Sequence, residues 1–146
     1  MEATLYQSDY YTCLRQQADL LRAGRFDDLD AAHLIAELEA MGASERRELT
    51  NRLTVLLMHL LTWQFQPARR GAAWSLTIRV QRMDIADLLN DEPGLKPEIP
   101  QALEKAYRKA RLLAANETGM DETTFPKQSP YSMEQTMADD FLPEGN

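Results

Sequence analysis

The chain has little of what marks secreted, membrane-spanning or nucleotide-using proteins. It holds one cysteine, Cys13, among 146 residues, so no internal disulfide can form and a reducing compartment is expected. Cys13 falls in a predicted helix with Arg15 as its only cationic neighbour, which gives no reason for an activated thiol. The apolar run from Val55 to Trp63 is far too short to cross a bilayer. The opening residues MEATLYQSDYY lack the basic-then-apolar order of a signal peptide, so a soluble, cytoplasmic protein with no membrane partner is expected. No Walker loop, dinucleotide fingerprint, GxSxG or CxxC is present. No run alternates with period two in β-branched residues, so no sheet is expected. Neither histidine belongs to an HExxH, ExxH or paired-histidine pattern, so neither a metal site nor a cofactor is expected.

What the chain does have is an uneven charge. Residues 1–43 carry 3 basic and 8 acidic groups (−5), residues 44–82 carry 7 and 2 (+5), and residues 83–146 carry 6 and 13 (−7), which sums to the net −7. The middle segment's basic groups are all arginines, whose fixed fork suits carboxylate or phosphate, and they are expected to pair with the acidic flanking helices. The acidic total and the absence of a lysine-rich face disfavour nucleic acid as a partner.

It also has helical periodicity almost throughout. Asp9 is placed to cap a first helix carrying Tyr10, Leu14, Ala18 and Leu21, which Gly24 ends in a left-handed C-cap. After the acidic turn RFDDLD, with Asp27 or Asp30 as the next cap, Ala31, Leu34, Ile35, Leu38 and Met41 make one apolar stripe of a second helix. Gly42 reads as its end and Ser44 as the N-cap of a third, Ser44 to Phe65, stopped by Pro67. So short a break predicts that the second and third helices are antiparallel or sharply angled neighbours. The third helix is apolar on two sides, through Leu49, Leu53, Leu56, Leu57 and Leu60 and through Thr54, Met58, Leu61 and Phe65, and is expected at the centre of the core.

A fourth helix turns Trp74, Ile78, Ile85, Leu88 and Leu89 inward, with Arg79 and Arg82 outward or half-buried. A fifth, between Pro97 and Gly119, repeats Ile99, Leu103, Ala106, Tyr107, Ala110, Leu113 and Ala114. Its alanines allow another helix to approach closely, from this chain or from a second copy. The tail holds Phe125, Tyr131, Met133, Phe141 and Leu142, too apolar for a free coil, and a short helix is predicted over Ser132–Ala138. The expected architecture is an all-α, single-domain bundle of about five helices over 1–146, with a core over about 9–118 and the tail 119–146 packed on it.

Two groups of residues could carry chemistry. On the remaining strip of the third helix His59 has Arg52 and Trp63 as same-face neighbours, and a near-neutral imidazole there could act as a base or ligand if Glu37 supplied a carboxylate. The weak catalytic candidates are therefore His59, Glu37 and Arg52. Arg69 and Arg70 follow one helix and precede the next helix's N-terminus, where N–H groups attract anions. With Arg79 and Arg82 they form the anion-binding candidates.

The segments RFDDLDAAHLIAELEAMGASERRELTNRLTVLLMHLLTWQFQP, AAWSLTIRVQR and FPKQSPYSMEQTMADDFLP resemble the domain of unknown function 29 family, from about Tyr10 to Pro143. The motifs are E-x-E-x-x-G, R-x-E-L, H-L-L-x-W and D-F-L-P, and the matched positions include Glu37, Glu39, Gly42, Arg47, Glu48, Leu53, His59, Trp63 and Trp74. The resemblance implies a small all-helical bacterial protein and assigns no activity. The reading that the residues support is a structural or protein-interaction module acting as a homo-oligomer, a homodimer or with a further protein partner. The alternatives are a small metal-binding protein or hydrolase-like enzyme at His59, and an anion or nucleic-acid sensor at Arg69 and Arg70.

Overall fold

The computed structural model describes residues 2–144; the last two positions of the expected tail lie outside them. Among the described residues there are six α-helices and no strand, an all-α fold. They are α1 (Glu2–Ser8), α2 (Tyr10–Arg22), α3 (Ala31–Phe65), α4 (Ala72–Asp91), α5 (Ile99–Thr118) and α6 (Met133–Met137). Two compact units make up the chain, Met1–Ser44 and Glu45–Asn146.

The first unit contains α1, α2 and the opening turns of α3. Asp9 caps α2 by accepting the Thr12 amide at 3.1 Å. At the other end Gly24 sits at φ +70, a left-handed conformation that glycine adopts without steric penalty. Arg25 N–H then reaches Leu20 O at 2.9 Å and Gly24 N–H reaches Leu21 O at 3.1 Å, the paired bonds of a Schellman stop. Gln17, buried in this unit, accepts the Asp30 amide at 2.8 Å and so ties α2 to the start of α3.

The predicted break at Gly42 is absent. α3 runs through Gly42 and Ser44 as one helix of 35 residues, and Ser44 is not an N-cap. A glycine inside a helix costs only about 1 kcal/mol relative to alanine. The flanking Ala40, Met41, Ala43, Glu45 and Arg46 are good helix formers, and no proline enforces a stop. This has a consequence for the stripe predicted to be buried. Ile35, Leu38 and Met41 are all more than half exposed.

The second unit holds the hydrophobic core. Leu49, Leu53, Leu56, Leu57, Leu60 and Leu61 of α3 have no exposed surface, and they meet Ile78, Ile85 and Leu89 of α4 and the alanine face of α5. Each such leucine contributes about 1.5–3 kcal/mol through burial. The order of cross-contacts shows α4 antiparallel to this part of α3: Arg52 pairs with Asp84 at 3.4 Å, and Trp74 Nε1 donates to His59 O at 3.3 Å. Ala102, Ala106, Ala110 and Ala114 are buried within the chain itself. Leu113, expected on that inner face, is exposed instead.

The tail packs on the same unit. Phe125 stands edge-on to Phe65 with ring centroids 5.2 Å apart. Tyr131 donates to Gln64 Oε1 at 2.6 Å, and burial pushes its phenol well above the ordinary tyrosine range. Ser132 and Gln135 form a capping box at the start of α6.

Candidate functional site

His59 lies on α3 within the second unit, half-buried. Its Nδ1 is 2.7 Å from Val55 O one turn earlier, and its ring lies 4.9 Å from the Trp74 ring. A carbonyl oxygen can only accept, so Nδ1 carries a proton and donates it to this bond. Arg52 is turned to carboxylates, Glu48 at 3.5 Å and Asp84 at 3.4 Å. Both pairs are partly exposed, in the range where an ion pair contributes little.

Glu37 sits in a different cluster. Because α3 does not break at Gly42, the turn that would fold Glu37 back on His59 does not form. Its carboxylate accepts the Tyr6 hydroxyl at 2.7 Å. The Tyr10 and Tyr6 hydroxyls hold Glu37 below the usual glutamate range, and in return Tyr10 is pushed up to about 12. The Tyr6 ring stacks on His33 at 3.9 Å, 17° from parallel. His33 Nδ1 bonds Asp30 Oδ2, and that contact is the main cause of the lowered Asp30 pKa. The residues Tyr6, Asp30, His33 and Glu37 thus form a polar cluster that the sequence reading passed over. The signal was present: Asp30, His33 and Glu37 follow at intervals of three and four, one helical face. Only α1 and its Tyr6 had no signal of their own.

The four arginines are not brought together. Arg70 turns back on α3, donating to Trp63 O at 2.7 Å and Gln64 O at 3.1 Å, with its guanidinium 5.8 Å from the Trp63 ring. Arg69 reaches the end of α5, bonding Glu117 O at 3.2 Å and its carboxylate at 3.4 Å. Each arginine thereby caps a helix C-terminus, where unpaired carbonyls carry the negative end of the dipole. Arg79 is exposed. Arg82, expected outward or half-buried, is 1% exposed and donates to Thr136 O at 2.8 Å and Gln135 O at 3.3 Å. Burial lowers its pKa, while the nearby Asp139 and Asp140 oppose that shift. Among the described residues no three His, Cys, Asp or Glu side chains stand close enough to share a metal ion.

The family model described as Domain of unknown function DUF29 matches residues 5–142. The chain belongs to the DUF29 family. No curated protein and no solved structure matches it. In this DUF29 protein the motif residues quoted above divide by environment. Leu53 is buried in the core, and Trp63, His59 and Trp74 are joined to one another or to the α3 end by the bonds just described. Glu39, Gly42, Arg47 and Glu48 are exposed on α3. No helix of the described DUF29 chain is long and apolar enough to cross a membrane.

Proposed function

We propose that this DUF29 protein is a structural or protein-interaction module that acts as a homo-oligomer. One observation carries the reading. Among the described residues of Met1–Ser44, Cys13 and Gln17 are the buried ones, while Tyr11, Phe26, Leu38 and Met41 are each about two-thirds exposed. A unit of some forty residues ordinarily needs a disulfide, a metal or a partner surface to hold its shape. The single cysteine is free, and the described residues offer no metal-binding group of three. Large exposed apolar side chains on one small unit are what a partner chain would cover. The free, buried cysteine and the likeness to a bacterial family support a place in a bacterial cytoplasm.

Native mass spectrometry and light scattering of the untagged protein over a wide concentration range test this reading. A dimer or larger assembly is expected, with Leu38→Glu shifting it toward monomer without loss of helix content. A wild-type chain that stays monomeric at every concentration would overturn it.

A further inference from the structure

The tail beyond α5 lies on the second unit in the manner of a bound peptide. Phe125, Tyr131, Thr136 and Pro143 are buried, and the stretches between them are exposed or half-buried. The bonds that fasten it run mostly from helix side chains to tail carbonyls. Tyr107 of α5 donates to Pro126 O at 2.5 Å and Arg111 to Phe125 O at 3.1 Å. Arg82 of α4 donates to Thr136 O and Gln135 O. One bond runs the other way, from the Tyr131 hydroxyl to Gln64 of α3. Donors aimed at main-chain carbonyls hold any segment that follows the same path, while buried anchors at intervals supply selectivity. Extended peptides are recognised by that division of labour.

Charge and connection fit the same picture. Residues 125–144 carry four acidic groups and one basic group, and Arg82 and Arg111 are the cations that hold them. The tail does not use every donor of this surface: Arg82 Nη1 is buried with no partner among the described residues. The join to α5 is slight, Gly119 at φ +72 followed by the exposed turn 121–124.

We infer that this surface of α3, α4 and α5 is a peptide-docking site, filled here by the chain's own tail, and that its partner is an extended acidic segment of another protein with two aromatic anchors six residues apart. The inference goes beyond the homo-oligomer reading and holds for a monomer and an assembly alike. The tail acts as an internal competitor. Tethered beside the site, it stands at an effective concentration of about millimolar, so a partner segment must displace it. A segment that also brings a carboxylate to Arg82 Nη1 gains a charge-assisted bond that the tail does not make.

The test uses the full chain with a site for a specific protease inserted in the exposed 121–124 turn. After cutting, a fluorescent synthetic peptide of residues 124–146 is the probe. The cut chain is expected to keep its helix content by circular dichroism and to exchange its tail for the probe, saturably and in competition with unlabelled peptide. The uncut chain, with its tail still tethered, should take up the probe at least about a hundredfold more weakly. A peptide carrying Phe125→Ala and Tyr131→Ala should bind at least about tenfold more weakly, a loss that needs no change in the protein. Arg82→Met in the cut chain should weaken uptake of the unaltered peptide by a similar factor. A cut chain that loses its helices, or whose tail never exchanges, makes the tail an inseparable part of the core and overturns the proposal. Uptake that ignores both the anchors and Arg82 overturns it as well. Neither result bears on the oligomeric state, which native mass spectrometry of the uncut chain reads separately.

Discussion

Arg82 of α4 donates through Nε to the carbonyl oxygen of Thr136 at 2.8 Å, and by that bond α6 is fastened to the core. A second bond runs from Nη2 to Gln135 O, while Nη1 is buried with no partner among the described residues. No carboxylate lies within ion-pair distance of the guanidinium among the described residues; it is carbonyls that hold it.

Replacing Arg82 therefore strips two tail carbonyls of a charged donor. Arg82→Met is expected to cost about 2–4 kcal/mol, from two hydrogen bonds to a charged group. Arg82→Lys, which lacks the planar fork, should recover only part of that. Denaturant unfolding gives the magnitude, and limited proteolysis should show cleavage near Tyr131 and Phe141 appearing first.

The Glu37 cluster sets a pH dependence with a defined sign. A carboxylate whose folded pKa is lowered stabilises the fold above its unfolded value, and that stability is lost as pH falls through the lowered one. Titration by nuclear magnetic resonance should find Glu37 below the ordinary range, as its bonds to Tyr10 and Tyr6 require. In the double variant Tyr6→Phe, Tyr10→Phe it should return toward the ordinary value, and the acid-sensitive part of the first unit's stability should disappear.

Gly42 sits in the helix interior with open space where a Cβ would point. Gly42→Ala is expected to stabilise α3 by roughly 0.5–1 kcal/mol. Slower amide exchange at Met41–Ser44 would confirm it. A true break at this position would make the same change neutral or damaging.

Thr62 is fully buried, and its hydroxyl has no hydrogen-bond partner among the described residues. An unpaired buried hydroxyl costs about 1–3 kcal/mol, so Thr62→Val, which keeps the shape, should raise the unfolding midpoint. A fall in stability would reveal a partner for the hydroxyl.

Much of the architecture was legible in the residues. Asp9, Gly24, Pro67 and Gly119 acted as the caps and stops that local backbone chemistry makes them. The leucines of the Ser44–Phe65 stretch formed the core that their spacing implied. The candidate sites were legible only in part. Glu37 was read as a carboxylate for His59, whereas the structure sets it against Tyr6, contributed by a short first helix that carries no strong periodic signal. Arg69 and Arg70 were rightly placed at helix ends, yet they serve carbonyls within the chain.

By itself the sequence determined the helical class, most of the helix boundaries and the face of α3 that fills the core, because caps, prolines and a 3.6-residue period act within a few residues of one another. Tertiary structure alone decided that α3 passes through Gly42, that Ile35, Leu38 and Met41 stay uncovered, and that Arg82 is buried against the tail. Those outcomes depend on groups far apart in the chain, or on whether a cost of about 1 kcal/mol at one glycine is offset by the helix on either side. No local pattern carries that balance.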